Sequence, residues 1–180
     1  MSNDIDRAAT ILRQGGIVAY ATESVFGLGC DPRNRRAVER LRRIKRRSAG
    51  KGFILLAAEP GQLEYFVAGF PPQVLASWPG PCTWLVPVRS GIIPWVTGGS
   101  PRIAVRVTAH AQAAALCRAA NMAIVSTSAN RSGQRPARTR REVVRRFGKL
   151  VDYVLPGRVG GLRRPTQIID AATGRVLRPG

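Results

Sequence analysis

The stretch Asp4-Ile5-Asp6-Arg7-Ala8-Ala9-Thr10-Ile11-Leu12-Arg13-Gln14-Gly15-Gly16-Ile17-Val18-Ala19-Tyr20 joins two periodicities through a glycine pair. Ile5, Ala8, Ala9 and Leu12 share one helical face over residues 4–14, Gly15-Gly16 stops the helix, and Ile17-Val18-Ala19-Tyr20 is an apolar run of strand length. Helix, glycine turn and buried strand are the unit of layered α/β domains. The alternation continues outward from it. Val38, Leu41 and Ile44 stripe a helix predicted over 36–47, and a loop from Lys45 to Gly52 leads into a short buried strand, Phe53-Ile54-Leu55-Leu56-Ala57. Further strands are predicted at 83–88, 102–107, 123–126, 167–170 and 175–178, and helices at 109–120 and 139–147. Pro71-Pro72, Pro79-Gly80-Pro81 and Gly98-Gly99 punctuate the middle without a long linker, so residues 1–180 read as one α/β domain with a mixed sheet. Residues 131–141 read as a mobile basic loop.

Composition limits what such a domain does. The chain has 180 residues, 44% of them hydrophobic, and carries 29 Lys+Arg against 10 Asp+Glu, a formal net charge of +19. That apolar content excludes a disordered polycation, so the charge sits on a folded surface. No run of about eighteen apolar residues is present, and Asp4 and Asp6 stand where a secretory leader carries basic residues, so a soluble, cytoplasmic protein is expected. Cys30, Cys82 and Cys117 form neither a disulfide framework nor a zinc pattern and read as small buried hydrophobes. The single histidine, His110, lies where a helix is predicted to start and reads as structural. With so few carboxylates and no tight acidic cluster, no protein-built metal site is expected, and any Mg²⁺ would be held by a phosphorylated substrate. Gly50-Lys51-Gly52 lacks the rest of a phosphate-binding P-loop.

Three segments concentrate polar chemistry. The first, Tyr20-Ala21-Thr22-Glu23-Ser24-Val25-Phe26-Gly27-Leu28-Gly29-Cys30-Asp31-Pro32, leaves a buried strand, and strand ends of α/β sheets are where small ligands bind. Thr22 offers a hydroxyl there and Gly27 and Gly29 a close backbone approach, although an ordinary turn fits equally. The second, Lys45-Arg46-Arg47-Ser48-Ala49-Gly50-Lys51-Gly52, holds two of only three lysines in a chain with 26 arginines. That bias points to a requirement for ammonium groups near a polyphosphate; the alternative is a solvated basic face. The third, Ser126-Thr127-Ser128-Ala129-Asn130, delivers hydroxyls and an amide from the apolar strand Ala123-Ile124-Val125, in a pattern that ordinary turns also use.

Together these segments resemble the YrdC-like family of threonylcarbamoyl-AMP synthases. Gly15 to Glu23 with Phe26 to Pro32 is similar to that family's opening motif, and Lys45-x-Arg47-x-x-x-Lys51-Gly52 to its K-x-R segment. Trp78-Pro79-Gly80-Pro81-Cys82-Thr83-Trp84, Ala104-Val105-Arg106-Val107 and Ser126-Thr127-Ser128-Ala129-Asn130-x-Ser132-Gly133 extend the likeness across nearly the whole chain. The resemblance implies a single-domain YrdC/RibB-like α/β fold: an open, twisted mixed sheet with helices packed around it and a concave substrate cleft. It also implies a nucleotidyltransferase that forms L-threonylcarbamoyl-AMP and pyrophosphate from L-threonine, bicarbonate and ATP, with Mg²⁺ carried on the phosphates. The product would serve threonylcarbamoyl-adenosine modification of tRNA position 37 through downstream transferase proteins. On this reading Thr22, Tyr20 and Arg106 bind substrate, with Arg106 on the threonine carboxylate. Lys45, Arg47 and Lys51 are catalytic and, with Ser126, Ser128 and Asn130, hold ATP and the carbonate-derived group.

Ala21 stands where the family commonly has proline, and Pro165 to Asp170 resembles the ending of shorter members, so the resemblance does not carry over closure of the cleft by the linker to the additional C-terminal domain of longer members. Two other readings compete. A basic RNA-binding protein without chemistry would use the stretches 33–47 and 131–149. Another enzyme of related fold, of the dihydroxybutanone-phosphate synthase class, is disfavoured by the scarcity of acids and by the S-x-N segment.

Overall fold

The computed structural model describes residues 2–180. In chain order its elements are α1 (Ser2–Arg13), β1 (Val18–Ala21), β2 (Phe26–Gly29), α2 (Arg35–Lys45), β3 (Ile54–Ala57), α3 (Pro72–Ala76), β4 (Cys82–Pro87), α4 (Pro94–Thr97), β5 (Arg102–Val107), α5 (Ala111–Ala120), β6 (Ile124–Ser128), α6 (Arg140–Phe147), β7 (Tyr153–Val154), β8 (Gln167–Asp170) and β9 (Val176–Arg178). The nine strands form one mixed sheet in the order β7-β1-β2-β6-β3-β5-β4-β8-β9. Strands β3 and β5 are parallel, as are β4 and β8, while β6 runs antiparallel to both β2 and β3.

Side chains alternate across this sheet and sort into two cores. Val105, Val107, Leu55 and Val125 join the larger core, which also takes Val38 and Leu41 of α2, Val96 of α4 and Phe147 of α6. The opposite face carries Val18, Tyr20, Leu56 and Ile124, covered by Ala8 and Leu12 of α1 and Ala113 and Leu116 of α5. These two helices cover only part of that face. By the same period of two, Ile54 follows Leu56, Ser126 and Ser128 follow Ile124, and Ala104 and Arg106 lie beside them. The uncovered part therefore carries polar and small residues.

Several boundaries differ from those expected. The helix predicted to Arg47 ends at Lys45, because Arg46 takes a left-handed conformation (φ 50°) and Arg46 and Arg47 close the end on the Arg43 and Arg42 carbonyls. Phe26–Gly29 is a strand rather than a glycine turn. Its glycines make room inside the protein: a Cβ on Gly29 would lie 2.5 Å from the Val125 carbonyl oxygen and 2.9 Å from the Tyr20 ring. His110 caps α5, its ring Nδ1 accepting the Ala113 N–H at 3.4 Å. All three cysteines are buried and free, and burial raises the Cys30 and Cys117 thiols well above their ordinary value.

The segment 131–141, read as a mobile loop, is tied down. Phe26 N–H donates to Ala137 O, Ala137 N–H to Ala129 O, and Arg138 to the carbonyls of Leu162 and Arg163. It ends in a capping box, in which Thr139 and Glu142 satisfy each other's backbone N–H groups.

Candidate active site

A cleft of roughly 410 Å³ opens on the uncovered part of the sheet. Thr22, Arg47, Arg106, Ser126 and Ser128 line it, so five of the nine residues singled out in the sequence meet in one cavity. Arg102, Thr166 and Arg178 line it as well. Period-two alternation along Arg102-Ile103-Ala104-Val105-Arg106-Val107 was the signal for Arg102; Thr166 and Arg178 arrive through the pairing of β8 with β4 and β9, which the sequence does not display. The four lining arginines are accompanied by no lining carboxylate.

Arg106 is 6% exposed and sits on the cleft floor. Its Nη1 donates to Thr166 Oγ1 at 2.5 Å and its Nη2 lies 3.2 Å from Glu23 Oε2. Thr108 donates to the other oxygen of Glu23 at 2.6 Å, so the carboxylate is itself fixed. A buried guanidinium held this way presents a pre-aimed fork with spare donors. Thr22 is turned by its own loop, donating through Oγ1 to Val25 O at 2.6 Å, which leaves the hydroxyl an acceptor for a ligand.

The second and third segments form one assembly. Lys45, at the last position of α2, sends its ammonium beneath the end of β6, donating to Ser128 O and to Asn130 O at 2.7 Å. Ser128 Oγ donates to Asn130 Oδ1 at 2.5 Å, and Asn130 Nδ2 donates to Arg131 O and Gln134 O at 2.9 and 2.8 Å. Lys45 and Asn130 lie behind the lining and hold Ser128 in place. Burial, assisted by the nearby Arg47 cation, lowers the Lys45 pKa to about 8.

Arg47 bonds to its own loop, Nη2 to Gly52 O at 2.5 Å and Nε to Lys51 O at 3.2 Å, with its guanidinium over the Phe53 ring. Arg42 gathers the carbonyls of Ser48, Ala49 and Lys51, so the loop is wound around two guanidinium groups. Lys51 is exposed and outside the lining, although its neighbours Gly50 and Gly52 belong to it. Tyr20 is fully buried under the floor, where its hydroxyl donates to Ser126 Oγ at 2.7 Å; it positions Ser126 and does not face the cleft. Burial raises its pKa far above the usual phenol value.

Like charges crowd this cavity. Partial burial lowers the Arg47 pKa, with Arg42 and Arg178 adding to the effect, and Arg178 is lowered by burial and by Arg106. Arg106 and Arg102 have carboxylate partners in Glu23 and Asp170, whereas Arg47 and Arg178 have none among the described residues, so an anionic ligand fits as their counter-charge.

The Sua5/YciO/YrdC family model, described as telomere recombination, matches residues 10–180. The chain is 53% identical over 178 residues to the threonylcarbamoyl-AMP synthase of Halorhodospira halophila, covering 97% of this chain and 93% of that one. It is 55% identical over 175 residues to that of Methylococcus capsulatus, covering 95% and 94%. Among solved structures it superposes on P. abyssi Sua5 complexed with L-threonine with a TM-score of 0.91 at 31% identity, covering 98% of this chain but only 54% of that one. E. coli YciO matches with a TM-score of 0.85 at 26% identity, over 100% of this chain and 90% of that one. On sequence and fold alike, the chain belongs to the Sua5/YciO/YrdC family.

Proposed function

We propose that the chain is a threonylcarbamoyl-AMP synthase that joins L-threonine, bicarbonate and ATP into L-threonylcarbamoyl-AMP, releasing pyrophosphate. One observation carries the reading: a sheet-floored cleft that gathers four arginines and the hydroxyls of Thr22, Ser126 and Ser128, with no lining carboxylate. The names of the full-length relatives and the threonine complex of the P. abyssi protein support it.

In this reaction the threonine amine forms a C–N bond to the bicarbonate carbon with loss of water. An oxygen of the resulting carbamate then attacks the α-phosphorus of ATP, and the bond to pyrophosphate breaks. Arg106 binds the threonine carboxylate through its spare donors, and Thr22 accepts from threonine beside it. Arg47 and Arg178 meet the phosphates, Ser126 donates to a reacting oxygen, and Ser128, whose proton goes to Asn130, accepts from the ligand. Mg²⁺ enters with ATP, which suits a cleft without carboxylates. Neither histidine nor thiol faces the reacting groups, so the rate derives from positioning and from fixed cations where charge develops. Lys45 and Asn130 act by fixing Ser128, and Lys51 stands at the rim to meet the outer phosphates. The product supplies tRNA modification, a use that fits a cytoplasmic protein.

The test is pyrophosphate release from purified protein. Release that needs threonine, bicarbonate and ATP together is expected; release independent of threonine overturns the reading. An RNA-binding protein without chemistry would give none, and the relatives' shared name favours the enzyme.

A further inference from the structure

The two guanidinium groups that wind the loop between α2 and β3 stand in different places. Arg47 lines the cleft, with its Nη2 on Gly52 O at 2.5 Å and its Nε on Lys51 O at 3.2 Å. Arg42 stands outside the lining. Its Nη1 shares its protons among Ser48 O at 2.8 Å, Ala49 O at 2.9 Å and Lys51 O at 3.2 Å, and its Nη2 donates to Trp95 O of α4 at 2.5 Å. Its guanidinium carbon lies 5.0 Å from the centre of the buried Phe53 ring. One side chain thus ties three carbonyls of an irregular loop to a helix and to a core ring.

The loop has little else to hold its shape. Ser48, Ala49, Gly50 and Lys51 are exposed, and among the described residues the one backbone bond that closes the turn runs from Lys51 N–H to Ser48 O at 3.2 Å. Its seat on α4 is bare backbone: a Cβ on Gly52 would lie 2.7 Å from Thr97 O, and one on Gly98 2.8 Å from Gly50 O. Yet Gly50, Gly52 and Arg47 all belong to the cleft wall, so the shape of the loop is part of the site.

On the synthase reading above, on which this inference rests, phosphate oxygens compete with neutral carbonyls for Arg47, and the charged acceptor makes the stronger bond. Arg42, outside the lining, meets no such competitor. We propose that Arg42 is a positioning residue of the reaction: it holds the 48–52 loop in its cleft-lining shape while the phosphates draw on Arg47, and so keeps Arg47 and the Lys51 ammonium where the phosphates arrive. The Lys51 carbonyl, gripped by both guanidinium groups, is the point through which the two act together.

The experiment uses the full chain and compares Arg42→Lys and Arg42→Ala with Arg43→Ala, which removes the same charge from an exposed neighbour on α2. Arg42→Lys keeps the charge and the stem beside Phe53 but lacks the planar fork, so it carries the test where Arg42→Ala does not fold. Calorimetry reads the binding of inorganic tripolyphosphate, which needs no chemistry, and pyrophosphate release reads the KM values for ATP and threonine. Both Arg42 variants are expected to weaken tripolyphosphate binding and to raise the KM for ATP about tenfold or more, the worth of one lost charge-assisted hydrogen bond. The KM for threonine, and every value for Arg43→Ala, should stay within about twofold of wild type. Guanidinium ion at millimolar concentration should restore tripolyphosphate affinity to Arg42→Ala and leave Arg43→Ala unchanged. Wild-type protein that binds tripolyphosphate without releasing pyrophosphate in response to threonine fails the synthase reading alone, and the tripolyphosphate titration then decides the claim about Arg42. Four results overturn that claim: no tripolyphosphate binding by wild type, an equal loss in Arg43→Ala, an equal rise of both KM values, or a lower melting temperature with unchanged tripolyphosphate affinity.

Discussion

Two buried cations divide the work of the cleft. In the proposed reaction Arg106 meets the threonine carboxylate, and its fork is aimed by Glu23 and Thr166. Arg106→Lys keeps a charge but loses the planar pair of donors, so the KM for threonine should rise roughly tenfold to a hundredfold, the worth of one or two charge-assisted hydrogen bonds. The melting temperature should stay near that of the wild type. Arg106→Ala should also destabilise the fold, by about 3 kcal/mol or more, because it leaves the Glu23 carboxylate buried and alone. Steady-state kinetics with thermal denaturation of both variants separates the two effects.

Lys45 gives a pH signature. With its pKa lowered from 10.5 to about 8, it loses its proton in the folded chain before the unfolded one does. Between those values the unfolded state binds more protons, so this group's contribution to stability rises with pH across that window and is lost as pH falls through about 8. Activity moves the opposite way, because the ammonium that ties Ser128 and Asn130 together is what deprotonates. The expected kcat/KM profile falls on its basic side near pH 8. In Lys45→Arg, whose guanidinium stays charged, that fall should vanish even if the overall rate is lower; an unchanged basic limb contradicts the role.

The elements repeat the lesson at larger scale. The opening helix, the apolar strands and the polar segments were legible because each declares itself within about ten residues. Strand β2 was not, since Phe-Gly-Leu-Gly carries turn chemistry and its glycines answer to the Tyr20 ring and the Val125 carbonyl, contacts made across the sheet. Gly29→Ala should therefore cost about 2 kcal/mol or more through overpacking, read as a lower urea midpoint. Tyr20→Phe should cost about 1 kcal/mol, the worth of its buried hydrogen bond to Ser126. If the glycines served only ligand approach, Gly29→Ala would lower activity and leave the midpoint unchanged. Helix α2 stops two residues short of its arginine-rich pattern, which continues past the left-handed turn at Arg46.

Strand order belongs to the whole molecule, and no local pattern announces it. The crossing β7-β1-β2-β6-β3-β5-β4-β8-β9 brings residue 22 beside residues 106, 126 and 166 on one half-covered face. That order explains why Arg178 and Thr166 escaped the sequence reading while Arg106, Ser126 and Ser128 did not. It also gathers four of the chain's arginines, the buried Arg106 among them, into one cleft. Synthesis of threonylcarbamoyl-AMP in the cleft is decided by where one carbon atom goes. Incubation with isotope-labelled bicarbonate, threonine and ATP, followed by mass analysis of the adenylate product, reads this directly. Label in an adenylate that also contains threonine is the predicted result; pyrophosphate released with an adenylate that lacks the bicarbonate carbon contradicts the account.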